Sequence, residues 1–235
     1  MAQSAPSLES IVINCNAHVA SVTLNRPEKA NALNAVMWQD IRRAMQWADT
    51  EEEVRVVVLR GAGDHFCAGI DLGMMMGLAE QITDPCDART REKLRQVILD
   101  LQDTLTSIER CRKPVIAAIQ GACVGGGIDL VACCDMRYAA TGATFSIKEI
   151  DIGMTADVGT LQRLPKIINP AVVRELAYTG RKVDAAEAAS IGLVNRRYDS
   201  SQALHEGVDA MAALIASKSP YMDSSSFASI PFAGV

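Results

Sequence analysis

Two apolar runs, Val54–Leu59 and Val115–Ile119, restrict what this chain can fold into more than any other feature. A strand without a polar face must be covered on both sides, which is the situation of a parallel sheet whose strands are joined by helical crossovers. Each run leads into glycine: Gly61-Ala62-Gly63 after the first, Gly125-Gly126-Gly127 a few residues after the second. The predicted class is therefore α/β. With 235 residues, one large domain can close a single core, and because aromatics make up only 4% that core must be built from Ala, Val, Ile, Leu and Met.

The remaining patterns fill in the order of elements. Ile11–Asn14 and Ala20–Leu24, joined by the polar segment Cys15–His18, read as a hairpin. Asn34 is placed to cap a helix in which Met37, Ile41, Met45 and Ala48 form one stripe, with Asp40, Arg42, Arg43 and Gln46 on its other faces. After a loop, Leu94, Val97, Ile98, Leu101, Leu105 and Ile108 define one face of a second long helix. Met136–Ala139 and Thr144–Ile147 are further strands, and Val158 to Ser190 reads as short helices. Asp184 and Glu187 have capping-box spacing within that stretch. Val194–Tyr198 is a last strand and Ala203–Ile215 a last amphipathic helix. From Pro220 onward no periodicity remains.

Several function classes are excluded early. The formal charge of −5 offers no excess of cations for a nucleic-acid backbone, so no nucleic-acid partner is expected. No apolar run reaches the roughly 20 residues of a membrane span, and the first residues show neither a signal peptide nor an arginine-rich presequence. Ala233-Gly234-Val235 is not a Ser-Lys-Leu ending. The seven cysteines contain no CxxC pair and read as reduced thiols, mostly buried. His18, His65 and His205 lack the spacing of metal ligands and read as solvated or locally bonded, so no metal site is expected. Ser146 and Ser190 lack a nucleophile elbow.

What remains for chemistry is backbone and carboxylate. The segments His65–Leu72 and Gly121–Asp129 both place glycine where a strand hands over to a helix, which exposes main-chain N–H groups. If the turns converge, one N–H from each can grip a single oxygen, as an acyl-transfer or enolisation reaction requires; tight packing explains the same glycines without any ligand. Asp129, Glu149 and Asp157 each lie among apolar or glycine neighbours, a setting that raises a carboxyl pKa and suits acid or base work. Structural roles compete for all three. Asp157 can cap a helix starting at Val158, Asp129 can satisfy a backbone donor, and Glu149 can be a surface partner of Lys148. Met74-Met75-Met76 suits either a flexible apolar pocket or the core.

RPEKANALN, HFCAGIDL, KPVIAAIQGACVGGGIDL and the run IKEIDIGMTADVGTLQRLP together resemble the enoyl-CoA hydratase/isomerase (crotonase) superfamily over roughly Ile11 to Ser219. The carboxylate set is most similar to the Δ3,5-Δ2,4-dienoyl-CoA isomerase branch. Ordinary hydratases carry two glutamates at the positions of Asp129 and Glu149 and an uncharged residue near Asp157. The resemblance implies a spiral of strand-strand-helix units over residues 8–219, with residues 220–235 an unpatterned tail where the family continues into further helices. It implies an acyl-CoA thioester as substrate, with CoA part of that substrate and no separate cofactor. The thioester oxygen would be held by the N–H groups of Ile70 and Gly126, while Lys29, Ala30, Leu33, Ala68, Gly69, Asp71 and Leu72 complete the substrate contacts. It implies proton transfer from C2 to C6 of a 3,5-dienoyl-CoA in fatty-acid β-oxidation, with Glu149 at C2, Asp157 at C6, and Asp129 balancing charge. A 2-enoyl-CoA hydratase and a catalytically weak acyl-CoA-binding subunit are the alternatives. Trimers or pairs of trimers, and a mitochondrial or peroxisomal location, are the implied setting.

Overall fold

The computed structural model describes residues 4–219, and the tail expected over 220–235 lies outside them. The opening hairpin pairs β1 (Ile11–Asn16) with β2 (Val19–Leu24), so only Ala17 and His18 form the loop. Both have positive φ, 46° and 66°, which lets a two-residue turn follow the strand twist. The loop is shorter than the Cys15–His18 connection expected, because neither residue is the glycine or asparagine that normally marks such a turn. The His18 ring is tied to the Glu53 carbonyl at 2.9 Å.

Beyond the hairpin, β3 (Val56–Gly61), β4 (Val115–Ile119), β6 (Met136–Ala140) and β9 (Arg196–Tyr198) extend the sheet in parallel, in the order β1-β2-β3-β4-β6-β9. A smaller sheet contains β5 (Ala122–Val124), β7 (Thr144–Ser146) and β8 (Val183–Asp184). The apolar runs are covered on both faces, as their composition demands. Val57, Leu59, Ala117 and Ile119 join the core under α1 (Ala35–Thr50), while Val56, Val58, Ile116 and Ala118 form a second cluster with the last helix. That helix spans Ser201–Ala216 and presents Leu204, Val208, Ala212 and Ala216, one residue per turn.

Asn34 caps α1 by accepting the Met37 N–H at 2.9 Å. Asp40, expected on a polar face of that helix, is instead 3% exposed. Its Oδ2 accepts the N–H of Glu9 and both the N–H and the hydroxyl of Ser10, so the buried charge fastens the chain's beginning onto the helix. Apolar periodicity cannot reveal a carboxylate whose partners lie thirty residues away.

The strand-strand-helix unit repeats. After β3, Cys67 bridges to Cys123 and the chain enters α2 (Leu72–Ile82); after β4 come β5 and α4 (Gly126–Ala132), with α3 (Asp87–Glu109) intervening between α2 and β4. After β6 come β7, a short turn of helix over Glu149–Ile152, and α5 (Thr160–Arg163). The sequence reading placed a loop where α2 stands; Met74-Met75-Met76 is part of that helix. Asp71 starts it, accepting the N–H groups of Gly73 and Met74 and pairing with Arg26 at 3.1 Å. Then α6 (Pro170–Thr179) and α7 (Ala185–Ser190) lead to β9. None of the seven cysteines is joined in a disulfide, and five of them are buried.

Candidate active site

The two glycine turns meet. Gly69 has φ +93°, and a Cβ there would stand 2.9 Å from the Val124 carbonyl oxygen and 3.5 Å from the Gly126 nitrogen, so only glycine permits this approach. Parallel bridges align the same segments: Leu33 with Ile70, and Cys67 with Cys123. Leu33 N–H donates to Gly69 O and Asp71 N–H donates to Leu33 O, which leaves the intervening Ile70 N–H without an acceptor among the described residues. Gly126 begins α4, where helical geometry supplies no acceptor for its N–H either. Two free donors thus stand on adjoining turns beside a cavity of about 300 Å³ that both residues line.

Asp129, Glu149 and Asp157 line that same cavity. Asp129 lies in the first turn and a half of α4 and is wholly buried. Its Oδ1 accepts the Thr160 N–H at 2.8 Å and the Thr160 hydroxyl at 2.5 Å, while Oδ2 has no partner among the described residues. Burial pushes this carboxyl up to about 7; the Thr160 bonds oppose the shift and the neighbouring Glu149 charge adds to it. The structural role weighed for Asp129 is therefore real, since it holds the first N–H of α5. The cap proposed for Asp157 is not formed: α5 begins at Thr160, and Asp129 from another turn of the spiral takes the donor.

Glu149 is delivered by β7. Gly125 N–H donates to Ser146 O at 2.9 Å, and the Ser146 hydroxyl donates to Gly180 O at 2.7 Å, which fixes the strand end three residues before the carboxylate. A Cβ on Gly125 would lie 3.3 Å from Glu149 Oε1, so this carboxylate sits directly over the second glycine turn. Its Oε2 is buried and has no partner among the described residues. Burial raises its pKa, its own main-chain N–H partly offsets that, and the Asp157 charge raises it further. Lys148 turns to Asp151, so the surface pairing considered for Glu149 does not occur. Asp157 is half-buried, and burial raises its pKa as well.

Apart from Lys148, the rest of the cavity wall is apolar and comes largely from Met75 and Leu78 of α2 and Leu94, Val97, Ile98 and Leu101 of α3. The first half of the apolar stripe on α3 faces this space and the second half, Leu105 and Ile108, enters the core. Trp38 of α1 also lines it, a residue the sequence reading did not single out. Ala68, Gly69 and Leu72 lie on the same wall. The Asp71 carboxylate is occupied by its helix and Arg26. Leu33 is buried, its side chain packed so that a Cβ on Gly126 would be 2.9 Å from Leu33 Cδ1. Lys29 is exposed on a short helical turn, and Ala30 O accepts the Ala68 N–H; neither lines the cavity.

His65 is locally bonded, its Nδ1 accepting the Ala122 N–H at 3.2 Å. Among the described residues, no three His, Cys, Asp or Glu side chains group to hold a metal ion, and no helix is long and apolar enough to cross a membrane.

This arrangement can polarise a carbonyl with two N–H groups and move protons along an apolar groove between carboxylates whose pKa values burial raises. The family model for enoyl-CoA hydratase/isomerase matches residues 14–225. The chain is 44% identical over 219 residues to the peroxisomal Δ3,5-Δ2,4-dienoyl-CoA isomerase of Arabidopsis thaliana, covering 93% of this chain and 79% of that protein. It is 48% identical over 219 residues to the mitochondrial Δ3,5-Δ2,4-dienoyl-CoA isomerase of Homo sapiens, covering 91% of this chain and 66%, just under two thirds, of that protein. The crystal structure of an enoyl-CoA hydratase from Bacillus anthracis superposes with a TM-score of 0.81 at 33% identity, covering 90% of this chain and 78% of that one.

Proposed function

The chain belongs to the enoyl-CoA hydratase/isomerase family, and from that membership we propose that it isomerises 3,5-dienoyl-CoA to 2,4-dienoyl-CoA. The observation that carries the reading is the third carboxylate: Asp157 shares one apolar cavity with Asp129 and Glu149, and one water-adding step at C3 has no use for it.

In the proposed reaction the thioester oxygen accepts the Ile70 and Gly126 N–H groups, which stabilise the negative charge that develops there. Glu149, ionised, takes a proton from C2; the electron pair spreads over the dienolate to the thioester oxygen. Asp157, protonated at the start of the cycle, gives its proton to C6. Double bonds then lie at C2–C3 and C4–C5, Glu149 carries the proton and Asp157 the charge, and exchange of one proton restores the start. No oxidant or separate cofactor enters this balance. Asp129, its pKa pushed up to about 7, is only partly ionised near neutral pH and so limits the charge accumulating beside Glu149. The apolar walls from α2 and α3 take the hydrocarbon chain, and the exposed turn at Lys29 and Ala30 is assigned to the CoA portion.

An ultraviolet assay for the conjugated 2,4-dienoyl product, run on the wild type and on Asp157→Asn with a 2-enoyl-CoA alongside, tests the reading. Isomerisation by the wild type and its loss by about 10²-fold or more in the variant are expected. Unchanged isomerisation in Asp157→Asn sinks the role given to Asp157, and hydration without isomerisation in the wild type replaces the proposal with a hydratase. We also infer a trimer or pair of trimers, which sedimentation checks, and a peroxisomal or mitochondrial location, for which the compartments named for the Arabidopsis and human relatives are the support.

A further inference from the structure

We propose that Gln102 is the positioning residue that sets Asp157 for the second proton transfer, an inference that rests on the isomerase reading of the same cavity. Glu149 and Asp157 are held in different ways. Glu149 follows directly on a strand end bonded on both sides, through Gly125 N–H to Ser146 O and Ser146 Oγ to Gly180 O. Asp157 lies between a glycine turn at Gly153 and the start of α5, in a stretch whose residues Met154 and Thr155 are exposed. Its carboxylate is bonded by its own main-chain N–H, which does not tie it to any other element.

The tether is instead on its main chain. Gln102 of α3 reaches across 55 residues of sequence to donate its Nε2–H to the Asp157 carbonyl oxygen at 2.6 Å. One residue on, the Val158 carbonyl receives only a long bond, 3.4 Å, from Arg163, which is itself anchored to Glu109 of α3 at 2.9 Å. The short bond from Gln102 is thus the nearest restraint on where the carboxylate stands.

Gln102 does not line the cavity and touches no reacting atom; it directly follows Leu101, which does line it. The helix that contacts the acyl chain through Leu94, Val97, Ile98 and Leu101 is therefore the helix that holds the distal acid. Loss of the amide donor leaves Glu149 and the two free N–H groups undisturbed. The expected defect is confined to protonation at C6, and the dienolate then returns to substrate by taking its proton back at C2.

The experiment measures two rates on the same protein in deuterated water: formation of 2,4-dienoyl-CoA, and deuterium uptake at C2 of recovered 3,5-dienoyl-CoA. Gln102→Met keeps length and helix propensity without a donor, and Gln102→Glu keeps shape but opposes the carbonyl with a charge. In both, isomerisation is expected to fall by roughly 10–100-fold, the loss typical of a misplaced group, while C2 exchange stays near the wild-type rate. Retained exchange also shows that the variant is folded. Equal loss of both rates assigns Gln102 a general structural role and overturns the inference, as does unchanged isomerisation in both variants. A wild type that consumes no 3,5-dienoyl-CoA instead removes the isomerase reading itself, which separates the two failures.

Discussion

Asp129 and Asp157 are the same chemical group at two ends of one carboxylate set, and the protein treats them oppositely. Asp129 is wholly buried, bonded twice by Thr160 and fixed on a helix; Asp157 is half-buried, its side chain bonded by its own main-chain N–H, and is held to α3 by its carbonyl. A carboxyl locked by two donors in a dry setting is suited to keep a proton and shape the local charge. One that is partly exposed can deliver a proton and collect another from solvent. Glu149 stands between them electrostatically: its charge raises Asp129, and the Asp157 charge raises Glu149. Position in a network of like charges, rather than residue type, sets the task of each group.

The strongest way to break this division is to remove its centre. Glu149→Gln is expected to abolish isomerisation by about 10²–10⁴-fold, the range for loss of a positioned base. Unlike Asp157→Asn, it should also abolish deuterium exchange at C2, because no neighbour takes its place over the Gly125 turn. Exchange persisting at the wild-type rate in Glu149→Gln, with either aspartate then needed for it, would falsify the assignment of C2 to Glu149.

Next in size is a stability effect at the buried end. The Asp129 carboxyl titrates near 7 in the folded protein against an ordinary value of 3.8. Below about pH 4 it is protonated in both folded and unfolded chains and contributes no pH dependence. Between about 4 and 7 the unfolded chain releases this proton while the folded protein retains it, so unfolding becomes easier as pH rises. Above 7 the penalty is constant. Chemical denaturation of the wild type and Asp129→Asn across this window should therefore show the variant gaining relative stability from pH 4 to 7. Parallel curves would mean that Asp129 is ionised throughout, and would erase its contrast with the distal acid.

Much of this contrast was legible in the sequence, and the boundary of what was legible is physical. Val54–Leu59 and Val115–Ile119 announced strands buried on both faces because composition alone carries that requirement. The glycine turns and the three carboxylates stood out against apolar neighbours, and all lie on one cavity. Long-range polar partners left no such mark. Thr160, which captures Asp129, and Gln102, which captures the Asp157 main chain, are ordinary residues 31 and 55 positions from the groups they hold. Asp40 looked like a surface charge for the same reason. Helix α2 was missed because Leu72–Ile82 is apolar on several faces, Met75 lining the cavity while Met76 is exposed, so no narrow stripe marks it. The one local signal available was Asp71 followed by the N–H groups it caps.

The finest test of the contrast is Thr160→Val, which keeps the volume and the main-chain N–H and removes only the hydroxyl donor to Asp129 Oδ1. A bond of this kind to a carboxylate is worth about 1–3 kcal/mol, and more of it is lost when the group is ionised than when it is protonated. The cost should consequently be small at pH 5, where Asp129 carries its proton, and larger at pH 8, while the Asp129 titration itself moves up from about 7. Isomerisation should change less than in any carboxylate variant, since neither Glu149 nor Asp157 loses a partner. A pH-independent cost would mean that the hydroxyl serves α5 rather than the charge on Asp129. The buried end of the set would then be a helix cap that happens to be acidic, and the division of labour would rest on Asp157 and Glu149 alone.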